Sequence, residues 1–131
     1  MIVVSVILFL AVSVHGGILL GSKTAVEVTE DVRNAANFAT DTINAKQNNS
    51  NWFTLNGIKN PTIRLVNGVL YGMEIELKES ECPNNKTNTG ASITYCPAIH
   101  NGATTKCKVE VWLQLLRIPE YILGEKICHK I

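Results

Sequence analysis

The residues of this chain that could do chemistry are four cysteines, two late histidines and a pair of closely spaced glutamates. A thiol nucleophile needs a free cysteine. Cys82, Cys96, Cys107 and Cys128 are even in number, and in an oxidising compartment they read as two disulfides, for which three pairings exist. No pair has the C-x-x-C spacing of a structural zinc site, so no metal is expected. A serine triad would need His100 or His129, but these sit in a polar stretch and near the C-terminus, and both read as solvent-exposed. Glu74 and Glu76 share one face of a strand, about 7 Å apart, and read as its wet face. No Gly-rich phosphate loop is present. The expectation is a protein that is not an enzyme and carries no cofactor.

The first sixteen residues, Met1 to Gly16, hold twelve apolar side chains and no charged one, and end in Val14-His15-Gly16. They read as a secretory signal peptide, too short for a membrane span. Residues 17–131 are then one domain, secreted and extracellular. The 12 basic and 11 acidic residues are mixed along the chain and leave a net charge of +1. Without a basic stripe, neither nucleic acid nor a membrane is an expected partner.

These residues need elements to position them. A helix is predicted from about Thr29 to Lys46. Thr29 is a good N-cap, Glu30 and Asp31 suit the positive end of the helix dipole, and Val32, Ala35, Ala36, Ala39 and Ile43 form one apolar stripe with Phe38 at its edge. The stripe is rich in alanine, so the helix can lie close against a sheet. Val69, Tyr71, Met73, Ile75 and Leu77 alternate with mostly polar residues. So do Cys107, Val109, Val111, Leu113 and Leu115, opposite Lys108, Glu110, Trp112 and Gln114. Shorter runs at Phe53 to Leu55, Thr62 to Val66 and Tyr121 to Ile127 complete about five strands. Asn67-Gly68 is a hairpin signal, because a type I′ turn needs positive φ at both central residues. The fold class is α+β, with one long helix packed on a curved antiparallel sheet. Ser80 to Lys106 is the longest irregular stretch. A Cys82–Cys96 bridge would staple it, and Cys107–Cys128 would then tie the last two strands.

Leader, amino-terminal glycine, long helix, hairpin with a V-x-G turn and four late cysteines together resemble the secreted cystatins of type 2, over essentially the whole mature chain. The resemblance implies reversible inhibition of papain-like cysteine proteases of the cathepsin type by a wedge of three surface elements. The first looks like Leu19-Leu20-Gly21. The second, Q-x-V-x-G in the family, falls on Arg64-Leu65-Val66-Asn67-Gly68. The third, Pro-Trp in the family, falls on Leu115 and Leu116. Gly21 would turn the backbone away from the catalytic cysteine, Leu19 and Leu20 would fill apolar pockets, and the preorganised turn would insert at little ordering cost. On this reading Gly68→Arg should abolish inhibition and leave the fold's circular dichroism nearly intact, apart from local turn strain.

Two positions depart from the family pattern. Arg64 stands in place of Gln, and Leu115-Leu116 in place of Pro-Trp, which loses an aromatic anchor. Leu115 also continues the buried alternation from Cys107, which leaves Leu116 as the better exposed contact. The alternative function is a cystatin-fold secreted binding protein (a venom, salivary or defence component) whose inhibition is weakened or lost. Some cystatins bind legumain through an asparagine after the helix. Here that place reads Gln47-Asn48-Asn49, only Asn48 matches, and no legumain site is expected. Asn48-Asn49-Ser50 and Asn85-Lys86-Thr87 are glycosylation sequons. A monomer is expected.

Overall fold

Thr29 starts the helix in the computed structural model, which describes residues 22–48, 50–83, 96–115 and 120–131. The expected leader and its boundary at residue 16 lie outside those residues. Helix α1 spans Glu30–Lys46, and the Thr29 side chain accepts the Val32 N–H at 3.3 Å. That satisfies one of the donors a helix start leaves unpaired. Gln47 closes the other end, its N–H donating to the Ile43 carbonyl at 3.0 Å. Val32, Ala35, Ala36, Ala39 and Ile43 are all buried in one cluster. Three small side chains in that stripe let the sheet approach closely, as the alanine content requires.

The strands are β1 (Thr24–Ala25), β2 (Asn51–Leu65), β3 (Val69–Pro83), β4 (Thr104–Gln114) and β5 (Glu120–Lys130). They form one five-stranded sheet in that order, with every neighbouring pair antiparallel. Tyr71, Met73, Ile75 and Leu77 from β3 and Cys107, Val109 and Val111 from β4 meet the helix stripe in the core. Phe38 stacks on Tyr121 of β5, ring centroids 5.4 Å apart.

The number of strands agrees with the expectation, but its make-up differs. The run Phe53 to Leu55 and the run from Thr62, which ends at Leu65 and not at Val66, are parts of one strand, β2, and the fifth strand is the short β1. β2 hides its period because its register against β3 shifts between Asn51 and Phe53, Leu55 and Gly57, and Lys59 and Thr62. The first shift places two extra residues in β3, and each of the other two places one extra residue in β2, which bends the strand and flips its alternation beyond that point. The last shift holds Asn60, at φ 52°, beside Pro61. Pro61 cannot donate to a ladder, but its carbonyl accepts the Val26 N–H at 3.0 Å.

Asn44 joins helix to sheet. It is 1% exposed, donates to the Phe53 carbonyl at 3.0 Å and accepts the Phe53 N–H at 2.8 Å. One side-chain amide thus supplies both bonds that a neighbouring strand would give Phe53. The expected irregular stretch from Ser80 to Lys106 is shorter than read, because β3 runs on to Pro83 and β4 begins at Thr104. Its ends are sewn together by Ile99 N–H to Glu79 O and Glu81 N–H to Pro97 O, at 2.9 and 3.0 Å. Cys82 is bonded to Cys96, with Cα atoms 5.7 Å apart. Cys107 is bonded to Cys128, its direct partner across β4 and β5.

Candidate functional site

The β2–β3 connection is where the chain leaves the ladder and presents an apolar side chain. Leu65 and Val69 are the last paired residues, so the loop is Val66-Asn67-Gly68 and one residue longer than a two-residue type I′ turn. Asn67 has φ 54° and Gly68 φ 129°. The positive φ read from the Asn-Gly pair is present, in a wider turn. Val66 is 41% exposed, while both its backbone groups are engaged. Its N–H donates to the Gly68 carbonyl at 3.2 Å, and its carbonyl accepts the Trp112 indole N–H at 3.0 Å.

Gly68 lies hard against β4. A Cβ there would press into the Leu113 carbonyl oxygen and sit 3.2 Å from Trp112 Nε1. At that φ a side chain is also strained. The local turn strain expected of Gly68→Arg thus has a source, the Leu113 carbonyl and the Trp112 ring. Such a change would push the turn off β4, and Val66 is the cleaner position for a probe.

The β3–β4 register pairs Val69 with Leu113 and Leu70 with Trp112, which brings the end of β4 beside the turn. Leu115 follows that strand end and is 58% exposed. The buried alternation from Cys107 stops at Leu113, which packs partly against the core, and does not extend to Leu115 as its spacing suggested. Leu116 lies outside the described residues. So do Leu19, Leu20 and Gly21. β1 pairs Thr24 with Ile63 and Ala25 with Thr62, so toward its amino end it runs in the direction of Arg64 and Leu65. The turn and Leu115 thus share one end of the sheet, the end toward which the amino end of β1 also runs. Arg64 lies opposite Leu70 on β2 and is half-buried.

The remaining chemistry-bearing residues are scattered. His100 and His129 are both exposed, the first in a turn and the second on β5. Glu74 stands between Lys59 and Lys108 in register, and Glu76 opposite Lys106. Cross-strand charge pairs of this kind are how a wet sheet face is stabilised. Among the described residues no group of three or more His, Cys, Asp or Glu could hold a metal ion, and no helix is long and apolar enough to cross a membrane. A hollow of about 460 Å³ lies between α1 and β2, lined by Arg33, Asn37, Leu55 and Ile58 among others, away from the turn. The site is a stiff protrusion, suited to filling a groove in another molecule.

Sequence reasoning missed Trp112, which its alternation assigned to the wet face of β4. The available signal was the residue type itself, a large aromatic among Lys108, Glu110 and Gln114.

One helix wrapped by a five-stranded antiparallel sheet with a protruding hairpin turn is the architecture of the cystatin fold. The sequence model of the cystatin domain matches residues 21–115, and the chain belongs to the cystatin family. Its fold is similar to that of dimeric human cystatin F, with a TM-score of 0.76 and 20% identity over 87% of this chain and 90% of that one. It is also similar to Al-CPI, with a TM-score of 0.69 and 22% identity over 85% of this chain and 100% of that one. A salivary cystatin from the soft tick Ornithodoros moubata gives a TM-score of 0.66 and 18% identity, covering 85% and 99%. No curated protein matches the sequence. At these identities the structural likeness speaks to the fold alone.

Proposed function

We propose that the chain is a secreted, reversible inhibitor of papain-like cysteine proteases. Val66-Asn67-Gly68 is the central contact, flanked by Leu19-Leu20-Gly21 on one side and Leu115-Leu116 on the other. Membership of the cystatin family supports the class of target. The observation that carries the reading is the state of Val66: side chain exposed, both backbone groups already paired. A turn so held loses little freedom on entering a cleft, which is how preorganised ligands gain affinity. It also presents a closed turn instead of the extended backbone that a protease cleaves.

Leu115, exposed beside the turn, supplies apolar area to the second hairpin element in place of an aromatic anchor. Burying a leucine side chain is worth about 1.5–3 kcal/mol. Arg64 selects among proteases by the charge at their cleft rims. Asn48, exposed just past the helix cap, is proposed as a glycan acceptor. It lies at the far end of β2 from the turn, so a glycan there leaves the wedge free and covers the place where a legumain contact would fall. Asn85, the second proposed acceptor, lies outside the described residues. The inhibitor acts as a monomer.

Removal of residues before Gly21 tests the reading directly. Affinity for papain should fall, mostly through faster dissociation, while folding is unchanged. Equal affinity of the full and shortened chains would leave the amino-terminal segment out of the wedge. A complete lack of inhibition by both would favour the cystatin-fold binding protein.

A further inference from the structure

The Val66 carbonyl lies beyond the last β2–β3 pair, so no strand neighbour can satisfy it. Its partner is the Trp112 indole N–H at 3.0 Å, from 46 residues away in the sequence. An indole N–H can only donate, and a large flat ring has few ways to reorient. The ring is further confined by its neighbours in register, Leu70 on β3 and Ile122 on β5. These three make an apolar row across the outer sheet face, where polar side chains would be the default. Gly68, without a Cβ, lets the turn sit close enough to β4 for the bond to form.

We infer that Trp112 is a positioning residue for the Val66–Gly68 turn, and that its indole N–H holds the turn in the form that binds the protease. The role rests on the inhibitory reading above. Trp112 touches the turn from behind and makes the second hairpin strand a support of the first hairpin loop. The effect of altering it should therefore pass through the turn.

Trp112→Phe keeps the flat apolar body and removes the donor. Amide hydrogen exchange in the free protein and dissociation from papain are measured for wild type, Trp112→Phe, Val66→Ala and the double variant. Trp112→Phe should exchange the Val66 amide about fivefold faster, the worth of one hydrogen bond, with core amides unchanged. It should also dissociate from papain about fivefold faster. That effect should shrink in the Val66→Ala background, as it does for residues acting through one contact. Unchanged exchange at Val66 overturns the inference. Faster exchange with unchanged dissociation overturns the role in binding, and full additivity with Val66→Ala overturns the route through the turn. Should wild type leave papain active, the inhibitory reading fails, and exchange at Val66 still decides whether Trp112 positions the turn.

Discussion

At the scale of single residues, Val66 and Asn44 make opposite predictions. Val66 is exposed and makes its bonds through its backbone, so Val66→Asp should cost little stability. A charged group forced into an apolar cleft should nonetheless weaken inhibition at least tenfold, roughly 1.4 kcal/mol. Thermal melting and an inhibition constant measured on the same sample check both halves, and a large drop in melting temperature would contradict the first. Asn44→Ala should do the reverse. It leaves the Phe53 N–H and carbonyl without their partner in a buried place, at a cost of about 2–4 kcal/mol in urea unfolding. Neither Asn44 nor Trp112 was legible as a special residue in the sequence. Each does its work through a bond to a backbone group that chain order does not identify, Phe53 nine residues on for Asn44 and Val66 far behind for Trp112. Asn67 and Gly68 could be read, because an Asn-Gly pair limits its own backbone whatever surrounds it, whereas Val66 was singled out by the family resemblance alone.

At the scale of elements, legibility follows regularity. The helix was readable down to its cap because Thr29, the acidic first turn and the alanine stripe are all local signals. β3 and the body of β4 were readable because they pair without a shift along their whole shared length. β2 was not, since the extra residue at each of two register shifts, Leu55/Gly57 and Lys59/Thr62, breaks the period of two on which such reading depends. Leu115 misled for the opposite reason. Its period is intact, but the strand ends at Gln114, and a side chain past the strand end has no sheet face to occupy. The Cys107–Cys128 bridge joins strands already paired. Replacing both cysteines by serine should cost about 3 kcal/mol while the helical circular dichroism signal persists at low temperature. A variant as stable as wild type in guanidinium would show that the bridge adds nothing to the ladder.

At the scale of the whole molecule, the packing of α1 against β3 and β5 has a consequence at alkaline pH. Burial pushes the Tyr71 phenol above its ordinary 10.0, helped by the Asp31 carboxylate and by Tyr121. Tyr121 is raised by burial and by Asp31 in the same way. The folded chain therefore keeps its phenolic protons where the unfolded chain gives them up. By linkage this stabilising term is whole below pH ~10 and is lost as pH rises through the folded values. The melting temperature should fall above that point, and less steeply in a Tyr71→Phe/Tyr121→Phe variant. An identical decline in the variant would assign the alkaline loss to other groups.

The fold, the exposed Val66 and Leu115 beside it all bear on one claim, the proposal that this surface enters the cleft of a papain-like protease. Titration of papain with the folded, correctly bridged protein tests it most directly. Activity should be lost reversibly with one inhibitor per enzyme, recover on dilution and be lost less readily with Val66→Asp. Full papain activity at micromolar concentrations of the wild-type protein would contradict it.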